Sequence, residues 1–158
     1  MFIMTSDLRS ELRQRKPFDS LQQEAHLSVV RTFAMLDDAF EQLFKPYGIS
    51  NTQFNVLRIL RGAAPGGLCR NALRDRLLTR MPDVTRLLDR MEDVGLVERE
   101  RDTADRRQVT TRLTKPGRRL VDELDEVVAA EHQRTLGHLN KAQLTSLVQL
   151  LLLAREKL

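Results

Sequence analysis

Arginine side chains recur between residues 86 and 107 at spacings that place them on two neighbouring elements. Arg86 and Arg90 lie four residues apart, which is about one turn of a helix. Arg106 and Arg107 stand together in a polar stretch between two sequences typical of β-strands. A guanidinium group can bind a phosphate or the edge of a guanine through two hydrogen bonds. This pattern indicates a polyanion, in particular nucleic acid, as the binding partner.

The positive charge of the chain is concentrated in one region. The 158 residues have a formal net charge of +4. Residues 70–119 contain 14 Lys and Arg against 9 Asp and Glu, a net charge of +5, so the remainder carries −1. All six Phe and the one Tyr lie at or before Phe54, so the basic region lacks the aromatic platforms on which single strands stack. Double-stranded DNA is therefore the favoured partner.

The first pair of arginines belongs to a predicted helix that begins near Pro82. Proline is tolerated in the first turn of a helix, and the carboxylate of Asp83 suits the positive end of the helix dipole. Apolar residues at helical spacing form one buried stripe, consisting of Val84, Leu87, Leu88, Met91 and Val94. The outward face then carries Asp83, Thr85, Arg86, Asp89 and Arg90. Gly95 ends the helix because glycine readily adopts a positive φ.

Two predicted strands follow this helix, over residues 96–101 and 109–114. The second strand alternates, with Val109, Thr111 and Leu113 on one side of the hairpin. Residues 102–107 form a polar tip between the strands. The basic hairpin therefore follows the arginine-bearing helix directly.

These features resemble the winged helix of MarR-type bacterial transcriptional regulators. The resemblance is carried by the helix, Gly95-Leu96-Val97, the Asp105-Arg106-Arg107 tip and the Leu-Thr-x-x-Gly motif of Leu113, Thr114 and Gly117. It covers roughly residues 20–158 and is most specific at residues 84–117. It implies a mainly α fold with a small β-hairpin wing, in which a winged helix-turn-helix DNA-binding lobe adjoins a helical dimerisation region.

The resemblance also implies a role for each candidate residue. It implies a sequence-specific regulator of transcription, with repression as the default. The residues expected in the major groove are Asp83, Thr85, Arg86 and Arg90. In the wing, Arg107 is expected in the minor groove, Asp105 is expected to hold that arginine or the hairpin, and Arg101 and Arg106 are candidates for phosphate contacts.

Flanking helices complete the predicted architecture. Residues 1–17 form either a tail or a short helix, and a long amphipathic helix covers about residues 19–45. Capping boxes at Ser50-Gln53 and Asn140-Gln143 begin two further helices. A short helix over residues 69–78 precedes the helix that begins near Pro82, which the resemblance implies is the recognition helix. Thr114 caps a further helix that runs to about residue 138. We expect dimerisation helices in residues 1–48 and 118–158, and the DNA-binding lobe in residues 49–117.

The last helix is too apolar to be covered within one chain. Residues 150–153 are four consecutive leucines, and one narrow stripe cannot bury all of them. A second copy is the simplest cover. In MarR-type proteins the first and last helices of two subunits interlock, which implies a homodimer on a palindromic operator.

Regulation is predicted from the resemblance alone. Family members are commonly released from DNA by a small aromatic or phenolic anion, bound between the dimer helices and the winged lobe. The implied pocket residues are His26, Phe33, Phe54 and Arg58, with ordinary core packing as the alternative for the aromatic residues. Redox sensing through Cys69, the single cysteine, is a second possible form of regulation.

Other functions have less support. No nucleophile–base pair, phosphate-binding glycine loop or metal-ligand spacing occurs, so we expect neither an enzyme nor a cofactor or metal. His132 and His138 lie six residues apart and do not converge on one helix face. A winged helix that docks an acidic protein partner is the main alternative. No apolar run approaches the ~20 residues of a membrane span, and the N-terminus lacks a signal core, so we expect a cytoplasmic protein with no membrane partner.

Overall fold

The computed structural model describes residues 7–79, 83–101 and 109–156. Over these residues the chain is mainly helical, with one small antiparallel sheet. This architecture confirms the predicted fold class. The chain divides into two compact units, Met1–Gln42 and Leu43–Leu158.

The first unit is helical and has a largely open apolar surface. Helix α1 (Leu8–Glu11) is capped by the side chain of Asp7 and is followed by α2 (Leu21–Phe44), whose last two residues belong to the second unit. The predicted long helix is therefore confirmed, with slightly different ends. Within the described part of this unit no side chain is buried. Its exposed apolar residues include Val29, Val30, Phe33 and Met35.

The second unit contains the remaining helices and the sheet. In chain order its elements after a short 3-10 turn are α3 (Asn51–Gly62), β1 (Leu68–Cys69), α4 (Arg70–Arg74), α5 (Val84–Asp93), β2 (Val97–Arg101), β3 (Val109–Leu113), α6 (Lys115–Leu136) and α7 (Lys141–Arg155). The strand order is β1-β3-β2, and all pairs are antiparallel. The core centres on α3, where the ring of Phe54 stacks on Phe44 with centroids 4.6 Å apart.

Local capping signals predict the helix starts correctly. The capping boxes of α3 and α7 are both formed, and the Thr114 side chain caps α6. Helix α5 begins at Val84 rather than near Pro82, because Asp83 is its cap and accepts a hydrogen bond from the main-chain N–H of Arg86; Pro82 lies outside the described residues. At the other end of α5, Gly95 has a φ of 72°, as expected for the residue that ends this helix.

Two details of the helix-turn-helix region differ from the prediction. The helix predicted at residues 69–78 is shorter, because Cys69 pairs with Thr110 in a strand and α4 ends at Arg74. The hairpin thereby gains a third strand. Val94 is 66% exposed rather than buried, because it is the C-cap of α5 and the chain turns there.

An ion-pair cluster joins α3 to α6. Arg61 donates hydrogen bonds to both oxygens of Asp125 at 2.8 Å, and to Asp122 at 3.0 Å. These bonds hold the pKa of Asp125 below its ordinary value, with the Arg61 hydrogen bond as the largest cause. The start of α6, which follows the wing, is thus anchored on the core.

Helix α7 has no buried side chain among its described residues. Its exposed apolar residues are Leu147, Val148, Leu150, Leu152 and Leu153. Across the part of the chain that the structure describes, no helix is long and apolar enough to cross a membrane.

Candidate nucleic-acid interface

Helix α5 separates its buried and exposed faces sharply. The buried stripe consists of Val84, Leu87, Leu88 and Met91, as the sequence predicts. On the opposite face, Thr85, Arg86 and Arg90 are exposed, and Asp83 is half-buried at the cap. The helix is thus held by its apolar side, which leaves two guanidinium groups and a hydroxyl toward solvent.

Contacts within the first turns of α5 orient both arginines. The Nε of Arg86 lies 2.9 Å from Oδ2 of Asp83, while Oδ1 of the same carboxylate accepts from the Arg86 main-chain N–H at 3.0 Å. The Nε of Arg90 donates to the main-chain oxygen of Arg86 at 3.3 Å. The Nε of Arg86 is therefore ion-paired with a carboxylate, and the Nε of Arg90 is hydrogen-bonded to a main-chain oxygen.

Arg70 is an additional basic residue of this surface that the sequence analysis missed. It is the first residue of α4, is exposed, and its Nη1 donates to the hydroxyl of Thr85 at 3.4 Å. An arginine at the start of the helix that precedes the recognition helix was the available signal. The contact brings Arg70 beside one of the predicted DNA-binding residues.

A second missed residue, Arg99, ties the sheet to α5. Its guanidinium contacts Asp89 at 2.7 Å and Glu92 at 2.5 Å, and its main-chain N–H donates to Glu92 at 3.0 Å. The hydrogen bond from Arg99 holds the pKa of the Glu92 carboxyl below its ordinary value. The recognition helix and the first strand of the wing are therefore joined by charged hydrogen bonds.

The far end of the wing is joined to the same region by the Leu-Thr-x-x-Gly motif. The hydroxyl of Thr114 donates to the main-chain oxygen of Gly95 and accepts from the main-chain N–H of Gly117. At Gly117 a Cβ atom would lie 2.0 Å from the main-chain oxygen of Leu96. Only glycine permits this approach, which explains the glycine of the motif physically.

The predicted wing contacts are described only in part. Arg101 is exposed at the end of β2 and pairs in register with Val109 of β3. Asp105, Arg106 and Arg107 lie outside the described residues. Within the described strands, Arg112 forms an ion pair with Glu100 across the hairpin.

Cys69 lies beside this surface. It is exposed, is the last residue of β1 and occupies the cap position of α4 without a side-chain capping bond. Together with Arg70, Thr85 and Arg99 it lines an open cleft of about 530 Å³ between α4, α5 and the sheet. Redox sensing through this thiol stays a prediction.

The residues predicted for an effector pocket lie in different parts of the fold. Phe54 is only 8% exposed and is stacked on Phe44, whereas Arg58 is exposed and donates to Asn55 at 3.3 Å. His26 and Phe33 are exposed on α2 in the first unit. For Phe54 the core-packing alternative describes its environment, and the pocket itself stays a prediction.

Comparisons with known proteins agree with this geometry. The MarR family model matches residues 47–108. A MarR transcription factor from Planctomyces limnophilus is 42% identical, and the two structures match with a TM-score of 0.68 over 87% of this chain and 99% of that chain. Bordetella bronchiseptica BpsR, whose DNA binding is regulated by 6-hydroxynicotinic acid, is 28% identical with a TM-score of 0.76, over 89% and 99% of the two chains.

A third similar structure comes from a DNA complex. A mutant MarR from E. coli, complexed with operator DNA, is 26% identical with a TM-score of 0.73, over 95% of this chain and 99% of that chain. The identity to the Planctomyces protein extends over most of both chains. The winged helix, the helices around it and this identity together show that the chain belongs to the MarR family of winged-helix transcriptional regulators.

Proposed function

We propose that this protein binds a palindromic operator in double-stranded DNA as a homodimer, represses transcription there, and is released by a small aromatic acid. The observation that carries the proposal is the exposed face of α5. A helix buried by its apolar stripe and presenting Thr85, Arg86 and Arg90 has the dimensions and chemistry that the major groove accepts. We propose that Asp83 lies with them at the groove.

The surroundings of α5 supply sequence-independent contacts. Arg70 beside Thr85, and Arg101 at the end of β2, are exposed cations suited to phosphates. The resemblance extends this surface into the wing, with Arg106 toward phosphate, Arg107 in the minor groove and Asp105 holding the hairpin. The likeness to a MarR protein complexed with operator DNA supports this arrangement.

The apolar surface of the outer helices supports a homodimer. Helix α7 exposes five large apolar side chains, and α2 exposes Val29, Val30, Phe33 and Met35. Burying this surface against a second copy of the chain is favourable because it removes apolar surface from contact with water. In this proposal residues 1–48 and 118–158 form the dimer, and residues 49–117 of each copy contact one operator half-site.

Release by an aromatic acid is supported by the likeness to BpsR. The family resemblance implies His26, Phe33, Phe54 and Arg58 as the candidate pocket residues, and aromatic rings and a cationic group are the kinds of side chain that suit an aromatic carboxylate. Repression is the default mode that the family resemblance implies. A ligand that binds preferentially to a dimer conformation unable to bind DNA would then relieve the repression.

The test is selection of bound sequences from a random duplex library, followed by fluorescence anisotropy on the selected duplex and on a scrambled one. We expect a preference of ~10³-fold or more for the selected duplex and a steep loss of affinity with salt. Arg86→Ala and Arg90→Ala should reduce the preference. Lys141→Ala is the matched control, because it removes one positive charge from the first residue of α7, to which no DNA contact is assigned.

The same assay tests the effector. 6-Hydroxynicotinic acid and salicylate are added to the preformed complex, and a loss of anisotropy is expected with at least one of them. Equal binding to both duplexes at every salt concentration would contradict sequence-specific recognition. It would favour the alternative of a winged helix that docks an acidic protein partner.

A further inference from the structure

Asp83 contacts Arg86 with both oxygens of its carboxylate. Oδ1 is fixed by the main-chain N–H of Arg86 at 3.0 Å, as the cap of α5. Oδ2 then lies 2.9 Å from the Arg86 Nε. Because the cap holds the carboxylate in place, the second oxygen offers the guanidinium a fixed partner.

This contact leaves a defined set of donors on Arg86. The Arg86 side chain is 84% exposed, and its terminal nitrogens have no acceptor among the residues that the structure describes. Guanine presents two acceptors, O6 and N7, in the major groove, whereas adenine presents an acceptor beside a donor and thymine an acceptor beside a methyl group. Among the base edges of the major groove, a guanidinium offering paired donors is therefore fully satisfied only by guanine.

We infer that Asp83 is a positioning residue that sets base specificity, by holding Arg86 in the orientation that reads guanine. The inference rests on the proposed DNA-binding function and identifies the residue that makes base recognition by Arg86 more selective. An exposed ion pair contributes little in water, because solvent screens it. When DNA excludes water from the groove, the same ion pair is less screened and holds the guanidinium in place at the base edge.

The Asp83 carboxylate also weakens the non-specific binding of DNA. Any duplex brings phosphates near the start of α5, and a negative charge there repels them. With guanine in place, the cost of that charge is offset by the better-ordered contact of Arg86. Without guanine the repulsion is not offset. Asp83 therefore increases the difference in affinity between the operator and other DNA, because it strengthens the specific contact and weakens non-specific binding.

The discriminating variant is Asp83→Asn, because asparagine caps helices about as well as aspartate but carries no charge for the guanidinium. Asp93→Asn is the matched control, since it removes the same charge from the exposed end of α5 at a residue that is not the partner of Arg86. Asp83→Ser is a second variant that keeps a capping oxygen. Far-ultraviolet circular dichroism verifies that the helix content of each variant is unchanged.

The measurement is anisotropy binding of the full chain to the selected operator, to its single-base variants across one half-site, and to a scrambled duplex. We expect the wild type to prefer guanine about 10-fold or more at one position, and Arg86→Ala to abolish that preference. Asp83→Asn and Asp83→Ser should narrow it to about 3-fold or less at that position alone, and should strengthen binding to the scrambled duplex about 2-fold. Asp93→Asn should keep the full guanine preference.

Two results overturn the inference while leaving the proposed function intact. One is a wild type that selects an operator but keeps its full guanine preference after Asp83→Asn. The other is a preference at that position that persists in Arg86→Ala, since Arg86 would then not be the residue that reads it. A wild type that distinguishes no duplex from another overturns both the inference and the proposed function.

Discussion

The hydroxyl of Thr114 donates a hydrogen bond to the main-chain oxygen of Gly95, 2.6 Å away. The same hydroxyl lies 3.1 Å from the oxygen of Leu96 and accepts from the main-chain N–H of Gly117 at 3.1 Å. One side chain thus caps α6 and fastens it to the turn that ends α5. The position of the recognition helix is therefore set at its C-terminal end by a residue beyond the wing.

Removing this hydroxyl should destabilise the fold. We expect Thr114→Ala to lower the free energy of unfolding by about 1–2 kcal/mol, because both the cap and the bonds to the turn are lost. Thr114→Ser keeps the hydroxyl and should stay within about 0.5 kcal/mol of wild type. Urea unfolding at one fixed protein concentration measures both. Equal losses for Ala and Ser would contradict a role for the hydroxyl.

The glycine of the same motif should tolerate no side chain. A Cβ at position 117 would lie 2.0 Å from the main-chain oxygen of Leu96, so Gly117→Ala must push α6 away from the turn. We expect a loss of about 3 kcal/mol in unfolding free energy. Gly62→Ala is the matched control, because no atom lies within 4 Å of its added Cβ and alanine favours the helix that Gly62 ends. Comparable losses in both variants would mean that the close approach to Leu96 is not the cause.

Much of the fold could be predicted because its signals are local. The caps at Ser50, Asn140 and Thr114 require only residues three positions apart, and the α5 stripe requires only helical spacing. Strand β1 could not be predicted in this way. Its two residues form a strand only because they pair with Thr110 and Thr111, about 40 residues later in the chain.

The candidate site shows the same division between local and non-local information. Periodicity identifies Thr85, Arg86 and Arg90 as outward-facing, and the structure confirms that they are exposed. The contact of Arg70 with Thr85 depends on how two helices pack. The contact of Arg99 with Glu92 depends on where a strand crosses a helix, which residue spacing alone does not reveal.

Acid should weaken the attachment of the wing to α5. The Arg99 hydrogen bond holds the pKa of Glu92 below its ordinary value of 4.5. A carboxyl group whose folded-state pKa is lowered stabilises the fold above its unfolded-state pKa, and this contribution is lost as the pH falls through the folded-state pKa. Stability contributed by Glu92 should therefore be complete at neutral pH and decline below about pH 4.5.

The measurement is urea unfolding of wild type and Glu92→Gln across that range. We expect Glu92→Gln to cost about 1 kcal/mol at neutral pH, and the difference from wild type to shrink with acidification. Glu100→Gln serves as the control, because the Glu100–Arg112 ion pair is more exposed and should contribute little at any pH. A Glu92→Gln cost that did not change with pH would show that the charge of Glu92 is not what stabilises the wing.

The apolar face of α7 should be required for dimerisation and, through it, for operator binding. Val148 and Leu152 lie one helical turn apart and are 65% and 55% exposed in the single chain. If these positions are buried against a second copy, two introduced carboxylates would lose their hydration at a large cost in free energy. Val148→Glu combined with Leu152→Glu should therefore give monomers in sedimentation velocity. Gln149→Glu adds charge to the same helix at an exposed polar residue and should leave the dimer intact.

Since two half-sites bound by one dimer share a single loss of translational freedom, the monomer should also bind the palindrome far more weakly than wild type. A double variant that remains dimeric would place the dimer contact on another surface.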